Sequence, residues 1–412
     1  MTQQRAEPEG ALADLKVLDL SGPIGVYCAK LMADLGADVV RVEPPGGDPM
    51  RKLGPFYNDD GKPEHSLYWW HFNTSRRGIT LDIEKPDGRE VFKRLAKWAD
   101  ALIETFEPGT LDKLGLGWDA LHALNPRLIV SSITPFGQTG PYAHFKGTDI
   151  VGQAMSGVMT SVGFPDAPPY LIATEMAYFS AGVLAANGTM LAIFHRDLTG
   201  QGQHVDTSMQ QAMSLGGSVP LYDMLGQVIR RGEMWQRGRG AIRSVFRCKD
   251  GYVFFVIVVG TSMEAVRDLL VDEELGEEFD PEWLDVDALR QNPPESRRFE
   301  ELISRFFARY TKWEVLEKCF NRKDVVFAVP TDTPKDVVES PHLKAKGFIH
   351  ELEHAELGKT IRYPGAPYKL PESPWRISRR APLVGEHNQE VYEDVLGLNE
   401  SEIARLRERG VI

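Results

Sequence analysis

Cysteine is scarce in this chain: Cys28, Cys248 and Cys319 are the only three in 412 residues, and no C-x-x-C pair occurs. That spacing excludes a zinc knuckle and points to reduced thiols in the cytoplasm. Long apolar runs are missing too. No stretch reads as the ~20 residues of a membrane span, and the opening, residues 1–15, is polar and acidic, unlike a secretory signal. Positive charge is in deficit. With 47 Lys and Arg against 59 Asp and Glu, the net charge of -12 argues against nucleic acid or an anionic membrane as the main partner. The local basic run Arg230, Arg231, Arg237, Arg239 and Arg243 then reads as a solvated or subunit-contacting loop.

Phosphate-loop signatures are also lacking. Gly46-Gly47-Asp48-Pro49 and Gly200-Gln201-Gly202 fit neither G-x-G-x-x-G nor G-x-x-x-x-G-K-[ST], so both read as turns. Ser131, Ser132 and Ser208 have no G-x-S-x-G elbow, which removes support for a hydrolase triad. One literal match is present: His350-Glu351-Leu352-Glu353-His354 spells H-E-x-x-H. That motif binds zinc only on a helix, where residues four apart share a face. Here Phe348-Ile349 precede it and a glycine turn at Gly358 follows, so the expectation is strand, turn, strand.

What remains is an α/β pattern. Leu15–Leu20 is a short apolar run stopped by Ser21-Gly22-Pro23; helical spacing of Ala29, Leu31, Met32 and Leu35 follows, then Asp38–Glu43. This is a βαβ unit, hence parallel strands with a right-handed crossover. The alternation recurs through Gly78–Asp82, a helix over 88–99, Ala101–Glu104, a helix over 118–124 and Leu128–Ser132, which calls for a doubly wound sheet. A helix is predicted over 174–195. Strand-like spacing returns over Gly251–Val259 and from Val325 onward, and a charged helix closes the chain. At 412 residues the chain exceeds a single core. The expected division is a large domain from 1–220 and 335–412 and a small α+β domain from 221–334. Asp149 reads either as a buried acid or as the N-cap of a helix beginning at Ile150.

Several short stretches stand in a telling order: Val17–Ser21, Leu35–Arg51, Pro108-Gly109 with Leu114-Gly115-Leu116, Asn125–Ile129, Gly137–Tyr142, Thr199–Gln203 and Ala381–His387. Together they resemble family III CoA-transferases (the formyl-CoA/carnitine-CoA type) over Leu15 to Ile412. The resemblance implies a Rossmann-like parallel-sheet large domain, a smaller α+β domain and an interlocked dimer. It implies acyl-CoA and a free carboxylic acid as substrates, no metal, and coenzyme A lying across the strand ends. The positions matching its CoA contacts are Ile24, Leu81 to Glu84, Thr105, Phe106, Glu107, Lys113, Leu114, Lys146, Thr148 and Met209.

The resemblance breaks where the chemistry is done. The family's acyl-carrying aspartate sits four residues before a helical glycine, here Gly182, and that position holds Tyr178. A phenol with a pKa near ~10 is a poor nucleophile at neutral pH and forms no acid anhydride. The usual Leu-Asp-Leu-Lys reads Leu81-Asp82-Ile83-Glu84, and the usual Asn-Phe-Arg-Pro-Gly reads Thr105-Phe106-Glu107-Pro108-Gly109, so two cations have become carboxylates. The expected role is a structural subunit, with the aspartate on a homologous catalytic partner and CoA bound weakly or only by that partner. The alternatives are a self-sufficient transferase using Glu175, and a non-enzymatic regulator of the same fold. A racemase is disfavoured, because its Gly-His-Asp stretch reads Gly147-Thr148-Asp149. Trp69, Trp70 and Tyr170 are candidates for an aromatic pocket, with core packing the simpler reading.

Overall fold

The computed structural model describes residues 10–162, 168–215, 242–256, 262–320 and 327–412. These residues form two compact units: 10–159, 171–215 and 345–412 make the larger, and 160–162, 168–170, 242–256, 262–320 and 327–344 the smaller.

The larger unit is built on six parallel strands: β1 (Lys16–Leu20), β2 (Asp38–Glu43), β3 (Arg77–Thr80), β4 (Ala101–Glu104), β5 (Ile129–Thr134) and β6 (His204–Ser208). Their order is β3-β2-β1-β4-β5-β6, with Leu18 beside Val40 on one side and Leu102 on the other. Strand order therefore reverses between β1 and β4. Eight helices connect or follow these strands: α1 (Val26–Asp34), α2 (Leu67–Phe72), α3 (Pro86–Trp98), α4 (Thr110–Lys113), α5 (Trp118–Leu124), α6 (Asp149–Met155), α7 (Met176–Thr199) and α8 (Met209–Ser214).

Because side chains alternate along a strand, neighbours feed opposite cores. Val17, Val39, Ala101 and Ile103 join α1, α7 and α8, whereas Leu18, Val40 and Leu102 join α3, α5 and the terminal helix Glu400–Glu408. Burying each such Val or Leu fully is worth roughly 1.5–3 kcal/mol.

Helix α7 runs four residues beyond its predicted end, stopping where Gly200 turns left-handed at φ 79°. An 18-residue stretch of it has a mean hydropathy of 1.4, so by length and composition alone it is long and apolar enough to cross a membrane. This qualifies the expectation that no stretch approaches the ~20 apolar residues of a span, although Asn187 and His195-Arg196-Asp197 interrupt the run. In the fold its alanine face (Ala177, Ala181, Ala185, Ala192) is buried, and Gly182 lets it approach α1 so closely that a Cβ there would lie 2.9 Å from that of Tyr27.

The H-E-x-x-H stretch forms the strand Ile349–His354 (β10, after three strands of the smaller unit), paired antiparallel with β11 (Lys359–Pro364) after a left-handed Gly358. His354 is fully buried, with Nε2 2.9 Å from the Tyr363 hydroxyl and Nδ1 2.9 Å from Glu356. Among the described residues no cluster of His, Cys, Asp and Glu is arranged to hold a metal ion.

The smaller unit carries an antiparallel sheet of β7 (Val245–Cys248), β8 (Gly251–Val256) and β9 (Phe327–Pro330). Helices Met263–Asp272, Val286–Gln291, Pro293–Phe307 and Lys312–Phe320 close a core around Phe246, Phe255, Phe299 and Phe306. Residues 257–259 and 325–326 of the predicted strands, and Arg230, Arg231, Arg237 and Arg239, lie outside the described residues. Arg243 is engaged locally, stacking 4.6 Å from the Phe246 ring and donating to Ser304 at 2.7 Å.

Candidate functional site

A crevice of about 780 Å³ opens at the carboxyl ends of β1 to β4. Its wall is made by the turns after each strand: Ser21 to Pro23, Pro44 to Met50, Leu81 to Lys85, and Thr105 with Phe106. In open α/β sheets this is where ligands bind, outside the strand ends and at the reversal of strand order.

A buried ionic network holds the first two of those turns. Asp19 of β1 meets Arg41 of β2 at 3.0 Å and pairs with Arg76. Arg41 also binds Asp48, while Arg51 grips Glu43 at 2.7 Å and lies 3.8 Å over the Trp69 ring. Burial works against the Asp19 carboxylate, but Arg41, Arg76 and Ser21 hold its pKa below the usual range. Gly46-Gly47-Asp48-Pro49 is thus a turn, both glycines left-handed, whose aspartate is an ionic anchor. Trp69 and Trp70 are likewise core residues, 1% and 4% exposed, while Tyr170 is largely exposed.

The residues proposed to meet coenzyme A separate on this frame. Leu81, Ile83, Glu84, Thr105 and Phe106 line the crevice. Ile24 and Met209 are buried in the core shared by α1 and α7. Lys113 and Leu114 end α4, the lysine exposed and the leucine packed on the opposite core. Lys146 is almost fully exposed and faces Glu107 at 4.0 Å, so the reversed charge at 107 lies opposite the retained cation. Of the cations in the crevice wall, Arg41 is paired with Asp19 and Asp48, and Lys85 is spent on the carbonyls of Arg409 and Gly410 at 2.9 and 2.8 Å.

The start of α7 gathers a second group. Tyr178 is half-buried in its first turn, and burial, aided by Glu175 and Asp149, pushes its phenol pKa above the ordinary value. Thr174 and Glu175 are both left-handed, at φ 74° and 45°, an uncommon pair for residues with a Cβ. Glu175 precedes the helix without capping it. Asp149 caps instead. It is the first residue of α6, and its Oδ1 accepts from the Ala177 and Tyr178 N–H groups at 2.7 and 3.3 Å. Gln153, one turn on and fully buried, clasps Ile172 by both its N–H and its carbonyl, at 2.9 and 3.0 Å. Released from capping, the Glu175 carboxyl faces Tyr68, whose buried hydroxyl closes no hydrogen bond of ordinary length. Burial first, and Asp149 second, raise the Glu175 pKa. The expected N-cap of a helix beginning at Ile150 is thus corrected: Thr148 is the N-cap, Asp149 is the first residue of α6, and its side chain is turned instead to the free N–H groups of α7, 28 residues away.

One acid escaped the sequence reading. Glu104 ends β4 beside the strand-order reversal and is 4% exposed. Its Oε2 accepts the Phe106 N–H at 2.7 Å, and Ser132 stands beside it in register on β5. Ser132 in turn contacts His204 Nε2 at 2.8 Å, and the His204 ring stacks on Trp118. Burial, with Asp112 and Asp206 adding to it, pushes the Glu104 pKa up to about 6. The one signal in sequence was a carboxylate closing an otherwise apolar strand.

The profile of CoA-transferase family III matches residues 12–388. The chain belongs to CoA-transferase family III. It is 35% identical over 384 residues to the succinyl-CoA:(R)-benzylsuccinate CoA-transferase subunit BbsE of Thauera aromatica, spanning 91% of this chain and 92% of that one. It is 34% identical over 427 residues to the formyl-CoA:oxalate CoA-transferase of Streptomyces coelicolor, spanning 98% and 99%. Among solved structures, a CAIB/BAIF family protein from Brucella suis superposes with a TM-score of 0.81 at 29% identity, covering 94% of this chain and 100% of that one. Family III membership makes CoA thioesters the substrate class and gives the strand-end crevice a class of ligand to be tested against.

Proposed function

We propose that this chain is the subunit of a heteromeric family III CoA-transferase that does not carry the acyl group, its homologous partner supplying the aspartate. The observation behind this is Tyr178. The phenol stands where the resemblance puts the aspartate, and its half-buried setting moves its pKa further from the range in which it would ionise and attack. The BbsE relative is itself named as a subunit. Charge supports the same reading: Asp82 and Glu84 line the crevice, and Lys85 is occupied.

In this reading the partner's aspartate attacks the thioester carbonyl of an acyl-CoA and expels CoA thiolate. The expelled thiolate attacks the aspartyl carbonyl of this mixed anhydride, releasing the first acid and leaving an enzyme thioester. The incoming carboxylate displaces the thiolate to form a second anhydride, and the thiolate then attacks its acyl carbonyl, giving the new acyl-CoA and freeing the aspartate; backbone N–H groups stabilise each tetrahedral oxyanion. This chain holds the partner in an interlocked fold, in the cytoplasm, and contributes loops to its site.

A second reading rests on Glu175. Its carboxyl is freed from capping by Asp149, its pKa is raised, and it lies three residues before Tyr178. A displaced carboxylate of this kind pays for misplacement, since errors of about 1 Å can cost ~100-fold in rate. The test is co-purification from the native source, then an acyl-CoA transfer assay on this chain alone and with its companion. Activity only in the mixture supports the subunit reading; activity of the chain alone, abolished by Glu175→Gln, replaces it with the second.

A further inference from the structure

Glu104 takes no part in the acyl transfer just described, yet its setting is unusual. It lies at the reversal of strand order, and the two residues after it, Thr105 and Phe106, are wall of the crevice. That wall is fixed from both sides: Thr105 Oγ1 accepts the Gly22 N–H at 2.7 Å, and Glu104 itself accepts the Phe106 N–H.

The groups that face this carboxyl can be named element by element. From β5 comes Ser132, from β6 come Asp206 and, through Ser132, His204, and from α4 comes Asp112. Burial lowers the pKa of His204, so the imidazole is neutral near pH 7 and brings no positive charge. Among the described residues no cation pairs with Glu104. A hydroxyl and one N–H support its ionised form, while burial and two carboxylates oppose it. A buried acid so balanced gains or loses its proton with small changes in local potential.

We propose that Glu104 couples ligand binding in the crevice to proton uptake. A polyanion seated against the Thr105–Phe106 wall adds negative potential to a carboxyl already short of compensation, and the carboxylate takes a proton from solvent. The inference rests on the first of the two expectations for CoA, that this chain's crevice binds it weakly despite the acidic wall, so coenzyme A is the probe. For each unit by which the bound ligand raises the Glu104 pKa, affinity gains about tenfold from high pH to low.

The experiment is calorimetric titration of coenzyme A into the full chain near ~pH 6.5, in buffers of different ionisation enthalpy. The dependence of heat on buffer counts the protons taken up. A fraction of one proton per CoA is expected for the wild type, fading toward ~pH 8. Glu104→Gln removes that fraction while CoA still binds, and the difference between the two proteins cancels the ionisation of the CoA phosphates. Ser132→Ala, which deletes the hydroxyl favouring the ionised form, moves the uptake to higher pH. Equal proton counts for wild type and Glu104→Gln, with CoA bound to both, overturn the coupling and leave the CoA site standing. No CoA binding by the wild-type chain at any pH overturns the reading of the crevice, and the coupling with it.

Discussion

Single side chains set the chemistry, and two of them make opposite demands on a sequence reader. Tyr178 is legible because its spacing to Gly182 is local; Glu104 is not, because its isolation is created by β5, β6 and α4. Its folded pKa of about 6 lies above the ordinary 4.5, so the native state binds the proton more tightly than the unfolded chain does. The stability this gives is fully present below ~pH 4.5 and is lost as pH rises through ~6. Glu104→Gln should therefore unfold at higher denaturant than wild type near pH ~7.5, by up to ~2 kcal/mol, with the advantage gone near ~4.5. An advantage independent of pH would contradict the assignment. Tyr178→Phe keeps the ring that packs on the α7 core and removes the hydroxyl. Transfer activity of the assembled enzyme should change by less than ~2-fold, because a group outside the chemistry contributes no transition-state stabilisation. A loss of a hundredfold or more would bring Tyr178 back into the mechanism.

At the level of elements, the strands announce themselves by apolar runs that glycine and proline punctuate, and the helices by their spacing. The turn from Ile172 to Tyr178 does not. Its geometry is imposed by Asp149 and Gln153 from α6, contacts with no local signature. Without Asp149, two N–H groups of the α7 first turn lose their acceptor, so Asp149→Ala should cost about 1–2 kcal/mol in denaturant unfolding. Hydrogen exchange should speed up at Ala177 and Tyr178 while the middle of α7 stays protected; uniform acceleration along α7 would mean that the cap is not local. The ionic network below the crevice is more demanding. Asp19→Ala leaves Arg41 and Arg76 buried without their shared carboxylate, and a loss of about 3–5 kcal/mol is expected. The sequence shows Asp19, Arg41 and Glu43 only as charges inside apolar strands. That Asp19 pairs with Arg41 follows from strand order, and that Glu43 pairs with Arg51 from the turn after β2, neither of which any periodicity reveals.

For the molecule as a whole, the doubly wound α/β architecture was legible from alternation alone, while the sheet order and the path of the final residues were not. If the chain is built to work with a homologous partner, its melting temperature should rise with protein concentration and again on adding that partner, as mass action requires. A midpoint indifferent to both would favour a self-sufficient monomer. The path of the final residues also has a temporal consequence. The Asp82 N–H donates to the Val411 carbonyl, Lys85 to those of Arg409 and Gly410, and the Tyr392 hydroxyl to the Thr80 carbonyl, so the third wall of the crevice leans on residues 392–411. On the ribosome residues 81–85 emerge long before residues 392–411, so this wall takes its final shape only once that later stretch has been made.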